Sequence, residues 1–412
     1  MTNQTQEAYL VIGGGTSLGE NIVDQLLSRG ETRVSIFDAH PLAPEQAARF
    51  GDSVRVCVGD ILIPESIAEA VKSCGTTCII HPGVVSTADT SMVLYPQGPD
   101  QPLRTPEEQA KWRKELMELH KRVNTDGIRN VLSAALENGD VTQLVYVGDA
   151  NTVFDGSDRP MLREADAPYP LKPWFSEFEA RSHGERMVLS FNGVNALRTA
   201  VIRPALGYGP GLSTERTLRA IQANPGITGV QIGENTNLVD RTYVTNAAHA
   251  TLLAADRLAP THPHHARTAG AAFFISDAAP RPIWDFVRGL WAGAGGAQPK
   301  NSVIVRRGTA MFIAGIKDMV GNLQGEDRET WKKVQLLCAT RSYDISLARE
   351  VLGYAPIVSH DEGIRRTAEW WLERQLKICK GKRAVAEGSS EKAPPPYDRE
   401  EAALLTEKSP FF

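Results

Sequence analysis

The residues with the clearest chemical meaning lie near the start of the chain. Ile12-Gly13-Gly14-Gly15-Thr16-Ser17-Leu18-Gly19 joins an apolar run to a segment of helical spacing. A turn of this kind, opening a helix after a strand, offers exposed backbone N–H groups to a dinucleotide pyrophosphate. Gly13 permits the tight turn, Gly15 lets the backbone approach the phosphates, and Gly19 allows close packing of helix on strand. Thr16, Ser17 and Leu18 complete the cradle. Asp38 ends the next apolar run. A carboxylate there accepts hydrogen bonds from the adenosine ribose and repels a 2′-phosphate, so NAD is expected rather than NADP. Thr16 takes the middle place of a G-x-x-G-x-x-G spacing, and its Cβ is expected to crowd the pyrophosphate and weaken binding. The competing reading is a tight turn that binds nothing.

Such residues need strands that deliver them to one edge. Apolar runs at 8–12, 33–37, 54–58, 77–80 and 144–147 alternate with helical patterns at 18–28, after Pro64, and at 116–136. Gly30 stands where the first helix should stop. This alternation predicts an α/β fold, a Rossmann-type doubly wound parallel sheet built from βαβ crossovers. Residues 1–255 are read as the cofactor-binding unit, with an insertion at about 84–111 that breaks into polar, proline-containing sequence and with some segments after 203 contributing to the substrate side. Residues 256–380 are read as a smaller region, and 381–412, rich in charge, Ser and Pro, as a flexible tail.

Composition narrows the class. Across 412 residues, 45 Lys and Arg against 49 Asp and Glu leave a formal charge of −4, which lacks the basic surplus of a nucleic-acid binder. No apolar stretch approaches the ~20 residues of a membrane span, and the polar start carries no signal-peptide pattern. The five cysteines are scattered without a C-x-x-C pair, so reduced thiols, no metal site and a cytoplasmic protein are expected.

Further motifs run in order along the chain: Gly59-Asp60, Ile80-His81, Val123-Asn124 with Gly127, Val145-Tyr146, and Arg203-Pro204-Ala205 with Gly207-Tyr208-Gly209-Pro210-Gly211. Asp240-Arg241-Thr242-Tyr243-Val244, Phe274-Ile275-Ser276-Asp277 and Leu352-Gly353-Tyr354 follow. From Tyr9 to about Gln375 the chain resembles the extended short-chain dehydrogenase/reductases. Within them it is most similar to the 3β-hydroxysteroid dehydrogenases and the decarboxylating sterol-4α-carboxylate 3-dehydrogenases. The resemblance implies a smaller C-terminal substrate-binding domain closing over a hydrophobic, polycyclic small molecule of sterol, terpenoid or polyketide type, and a homodimer. It also places Asp60 and Ile61 near the adenine, His81 beside the cofactor cleft, and Arg203 and Pro204 near the nicotinamide. Trp174, Phe175, Phe178 and Tyr208 are candidates for the substrate pocket, although aromatic clusters also serve as plain core.

Family chemistry depends on a Tyr and a Lys one helical turn apart and on a Ser or Thr after the preceding strand. Aligned on Glu185-Arg186-Met187-Val188-Leu189, this chain has Glu177 for the Tyr, Arg181 for the Lys and Asp149 near the hydroxyl position. A tyrosine, with a reference pKa near ~10, donates a proton at neutral pH, whereas a carboxyl near ~4.3 is already ionised. An arginine does not release its proton but can fork onto a carboxylate. Three functions stay open. One is a sterol dehydrogenase-like protein binding NAD(H), with ordinary redox chemistry disfavoured. Another is an isomerase, lyase or cyclase working through Asp149, Glu177 and Arg181. The last is a cofactor-binding pseudoenzyme or sensor.

Overall fold

A computed structural model describes residues 5–83, 114–115, 118–212, 214–223, 229–297, 302–323 and 329–386. The insertion expected at 84–111 and the tail beyond 386 lie outside the described residues. In chain order the first half gives β1 (Tyr9–Ile12), α1 (Ser17–Ser28), β2 (Val34–Asp38), α2 (Pro44–Phe50), β3 (Val54–Val58), α3 (Pro64–Ser73) and β4 (Cys78–His81). A five-residue π-helical turn, Val123–Gly127, then leads into α4 (Ile128–Asn138), followed by β5 (Gln143–Val147), β6 (Arg159–Leu162), α5 (Ser176–Ser190), β7 (Arg198–Pro204) and β8 (Leu206–Tyr208). The remainder holds α6 (Thr214–Ala223), β9 (Val230–Ile232), β10 (Leu238–Val239), β11 (Arg241–Tyr243), α7 (Val244–Leu258), β12 (Ala272–Ile275) and β13 (Arg281–Pro282). It ends with α8 (Ile283–Gly293), β14 (Val303–Val305), α9 (Arg307–Leu323), α10 (Thr330–Cys338), β15 (Arg341–Tyr343) and α11 (His360–Ala386).

Seven strands form the central sheet in the order β12-β7-β5-β4-β1-β2-β3, every neighbouring pair parallel. Period-two alternation divides its buried side chains between two layers. Leu10, Ile79, Leu144 and Tyr146 pack with Ile67 and Val71 of α3 and Val131 and Leu132 of α4. Val11, Ile80, Val145 and Val147 pack with Ile22 and Leu26 of α1 and Leu252 of α7. The chain runs outward from β1 to β3 and then returns through β4 on the other side. A crevice therefore opens at the carboxyl ends of β1 and β4, where an open α/β sheet binds its ligands.

The expected doubly wound sheet is present, but the division at residue 255 does not follow it. β12 comes from beyond 255 and completes the central sheet at its edge. A second sheet, β13-β10-β15-β6, draws β6 and β10 from before that boundary. Two further pairs, β11-β8 and β14-β9, extend the smaller region. α11 continues to Ala386, so the first six residues expected in the tail are helical.

Candidate functional site

Geometry at the glycine turn follows from what a Cβ would meet. Gly13 has φ +66°. A Cβ on Gly19 would lie 2.2 Å from the Gly13 carbonyl oxygen, and one on Gly14 would lie 2.5 Å from Ile36. Thr16 caps α1: its Oγ1 accepts from the Gly19 N–H at 3.2 Å and donates to the Gly13 carbonyl at 2.8 Å. The hydroxyl is thus folded back into the turn, a role that glycine could not fill. Gly15 N–H donates to Asp38 Oδ2 at 2.9 Å, which draws the carboxylate ending β2 to the rim of the turn. Ser17 Oγ donates to the Pro210 carbonyl at 2.5 Å and ties α1 to the loop after β8.

At the end of β4, His81 is buried, and burial pushes its imidazole down to about 4. Its Nδ1 accepts from the Gly83 N–H at 3.0 Å, which leaves the proton on Nε2. That Nε2 is a buried donor with no partner among the described residues. The ring stands edge-to-face on Tyr146, with centroids 5.4 Å apart. A glycine turn that a Cβ would fill and an unmatched donor at the same crevice suit a bound dinucleotide. Asp60 lies after β3, its Oδ1 accepting from the Leu62 N–H at 2.8 Å. The Ile61 carbonyl accepts from Asn130 Nδ2 of α4 at 3.0 Å.

Leu18, Gly83, Asp149, Arg181, Pro204 and Thr242 line one cleft. Asp149 and Arg181 meet there: Arg181 Nη1 donates to Asp149 Oδ2 at 2.5 Å, with both side chains largely shielded from water. The other carboxylate oxygen, Oδ1, accepts from the backbone N–H of Asn151 at 2.7 Å and from its Nδ2 at 2.9 Å. Asn151 Oδ1 in turn accepts from Arg341 Nη1 of β15 at 2.7 Å. An unbroken polar chain therefore connects the second sheet to the cleft.

Glu177 does not join this pair. It lines a separate cavity of about 320 Å³ with Glu118, His120, Lys121 and His183, so the expected set of three becomes a set of two. The aromatic candidates also part company with the cleft lining. Trp174 packs edge-to-face on Phe154 and Trp331, and its Nε1 donates to the Lys332 carbonyl at 3.2 Å. Phe175 and Phe178 pack edge-to-face on each other. Tyr208 is core: it is 1% exposed, and its hydroxyl donates to Asp277 Oδ2 at 2.8 Å. The packing of α8 and α11 around β8 accounts for that burial, with Phe286 and His360 both in ring contact with Tyr208.

One cluster behind the cleft was not anticipated. Glu185 of α5 is fully buried, and its Oε1 accepts from Arg203 Nε at 2.6 Å and from the Tyr169 hydroxyl at 2.6 Å. Thr152 Oγ1 donates to Oε2 at 3.3 Å. Burial works to lower the Arg203 pKa, but Glu185 and Tyr169 outweigh it and hold the guanidinium charged. Burial, then the Glu185 carboxylate, push the Tyr169 phenol upward, so it stays protonated. A Cβ on Gly148 would come within 2.8 Å of Glu185 Oε2, which favours glycine where a hydroxyl residue was expected. The sequence signal was available: Glu185 is one helical turn beyond Arg181.

Comparison with known proteins agrees with this architecture. Residues 111–306 match the model of the 3-beta hydroxysteroid dehydrogenase/isomerase family. The sterol-4-alpha-carboxylate 3-dehydrogenase, decarboxylating, of Schizosaccharomyces pombe is 33% identical over 373 residues, covering 88% of this chain and 97% of the relative. The enzyme of that name from Saccharomyces cerevisiae is 28% identical, covering 89% and 98%. Among solved structures, a dTDP-glucose 4,6-dehydratase from Bacillus anthracis in complex with NAD superposes with a TM-score of 0.61 at 16% identity, over 89% of this chain and 97% of that one. At that identity the likeness is one of fold.

Proposed function

Because the chain belongs to the 3-beta hydroxysteroid dehydrogenase/isomerase family, we propose that it binds NAD(H) and a hydrophobic polycyclic ligand of sterol, terpenoid or polyketide type, without the family's proton relay. The glycine turn would hold the pyrophosphate on the N-terminus of α1, and Asp38 would take the adenosine ribose. A carboxylate at that rim favours NAD over NADP, since a 2′-phosphate would face like charge. When bound, the nicotinamide supplies or accepts a hydride. Exchange of an alcohol with a ketone also needs a proton donor and acceptor within hydrogen-bond reach of the oxygen.

One observation carries this reading: the ion pair of Asp149 and Arg181 occupies the cleft wall where the family places a hydroxyl and an ammonium. Arg181 Nη1 is engaged by the Asp149 carboxylate, and a guanidinium is not a proton donor to a substrate oxygen. Tyr146 lines the same cleft, but burial pushes its phenol upward and its ring is wholly buried. Calorimetric titration with NAD and NADH should show binding, and incubation with NAD and a 3β-hydroxysterol should give no rise in NADH absorbance. Absence of binding at millimolar NAD would remove the cofactor half of the proposal. Steady NADH formation would remove the other half.

A second reading has its own support. Both oxygens of Asp149 are oriented, one by Asn151 and one by Arg181, as a carboxylate base requires. A non-redox isomerase, lyase or cyclase would use Asp149 to move a proton, with Arg181 beside an anionic or enolising substrate. Glu177, in its separate cavity, drops out of that scheme. Turnover abolished by Asp149→Asn with no change in NADH absorbance would select this reading.

A further inference from the structure

Two thiols that the cleft does not use meet at the outer edge of the central sheet. Cys57 lies on β3, the edge strand, and Cys74 directly follows α3. Their Sγ atoms are 3.5 Å apart, close enough for an S–H···S contact. Both are free and half-buried, whereas Cys78 and Cys338 are buried. Their inner sides pack on the layer that α3 and α4 make with the sheet. Period-two alternation puts Cys57 on the α3 side of β3, and the end of α3 brings Cys74 against it.

An arginine on the same strand face sits against the pair. Arg55 Nη1 donates to the carbonyl of Ser73, the residue before Cys74, at 2.5 Å, and the guanidinium also hydrogen-bonds the Cys57 thiol. A cation beside a thiol favours the thiolate, the form that attacks a disulfide. Burial, then the hydrogen bond with Cys74, outweigh Arg55 at Cys57 and push its thiol up to about 11. Cys57 therefore keeps its proton at neutral pH and is the donor in the contact. Cys74 is the sulfur placed to attack first.

We propose that Cys57 and Cys74 form a reversible disulfide by exchange with a small-molecule disulfide of the glutathione type. Cys74 gives its proton to solvent, and its sulfur bonds to one sulfur of glutathione disulfide as the S–S bond there breaks. One glutathione leaves as its thiolate. Cys57 then gives up its proton and attacks Cys74 Sγ, which expels the second glutathione. The two leaving thiolates take up the two protons, so two protein thiols are oxidised and one glutathione disulfide is reduced to two glutathiones. A disulfide needs sulfurs about 2 Å apart, a gap that side-chain rotation closes from 3.5 Å. The bond closes a loop that carries all of α3 together with Asp60 and Ile61, placed near the adenine by the resemblance. Such a bridge restricts the unfolded chain and so stabilises the folded one. The site rests on β3 and α3 alone and holds whatever chemistry the cleft performs.

The test incubates the reduced full chain with glutathione disulfide, quenches by alkylation and maps the cysteines by peptide mass spectrometry. The parent should lose the mass of two hydrogens, with the bridge mapped to Cys57 and Cys74, and dithiothreitol should reverse the change. Cys57→Ser should instead retain a glutathione on Cys74, because no second thiol resolves the adduct. In the parent that adduct should be at least about tenfold scarcer. Oxidation should raise the parent's thermal midpoint by about 3–4 °C and should not raise that of Cys57→Ser. The parent's peptide map decides the proposal independently of how the variant folds. No bridge between Cys57 and Cys74, or one that forms only once urea unfolds the chain, would overturn it. So would a stable glutathione adduct on Cys74 of the parent, or an oxidised midpoint at or below the reduced one.

Discussion

Asp149 and Arg181 neutralise each other across 2.5 Å, and this sets what a graft of the family's catalytic residues must change. Glu177→Tyr with Arg181→Lys restores the Tyr and Lys in sequence. It leaves the Asp149 carboxylate against the new ammonium, which a proton relay and a ribose contact both need free. The triple variant with Asp149→Ser removes that partner and supplies the hydroxyl. A positioned general acid is worth about 10²- to 10⁴-fold, but position 177 faces the separate cavity, so neither variant should form NADH from a 3β-hydroxysterol above the parent's rate. Asn151 loses an acceptor in the triple variant, but its backbone N–H can bond Ser Oγ in the same cap. NADH formation by the triple variant at least about 100-fold faster than by the double variant would show that a tyrosine at 177 does reach the cleft.

The turn between β1 and α1 offers a second contrast, at the scale of an element. Gly19→Ala puts a methyl 2.2 Å from the Gly13 carbonyl, and overpacking of this kind costs about 1–3 kcal/mol. It should lower both the thermal midpoint and NAD affinity. Thr16→Ala deletes the cap of α1 and should cost about 1 kcal/mol, whereas Thr16→Gly should cost only a few tenths. Because the Thr16 hydroxyl is folded into the turn, neither variant is expected to bind NAD more tightly than the parent. Tighter binding by Thr16→Gly in calorimetry would show that the side chain does crowd the pyrophosphate. This turn and the central sheet were legible in the sequence because their signals are local: runs such as Tyr9–Ile12, and Gly30, whose φ of +88° ends α1. The second sheet was not, because its strands are two to four residues long and paired across the chain. Arg341 pairs with Arg159 and Val239, contacts that no period within one segment announces. The site was legible by residue type but not by direction. The spacing of Glu177 and Arg181 is one helical turn, yet packing at the start of α5 turns Glu177 into a different cavity.

Over the whole molecule, buried titratable groups pull stability in opposite directions with pH. Burial pushes His81 down to about 4, so between pH 6.5 and 4 the unfolded chain takes up a proton that the folded chain refuses. Its contribution is present above pH 6.5 and is lost as pH falls toward 4. His120, lowered to about 4 by burial and then by Arg181, acts in the same sense. Burial raises Asp240 to about 6, so the folded chain holds a proton that the unfolded chain releases. That contribution is present below the unfolded carboxyl value and is lost as pH rises through 6. Each shift of about two units corresponds to a ceiling near 3 kcal/mol, so Asp240 masks roughly one of the two histidines during acidification. Asp240→Asn retains an oxygen for the Tyr343 N–H, which Asp240 Oδ2 accepts at 2.9 Å, and keeps a polar group beside the Ser276 hydroxyl. This variant should match or exceed the parent in thermal midpoint at pH 7.5 and fall more steeply between pH 6 and 4.5. His81→Gln should flatten the same slope. Parallel midpoint curves for the parent and Asp240→Asn would show that Asp240 is ionised throughout this range and that the buried carboxyl does not oppose the histidines.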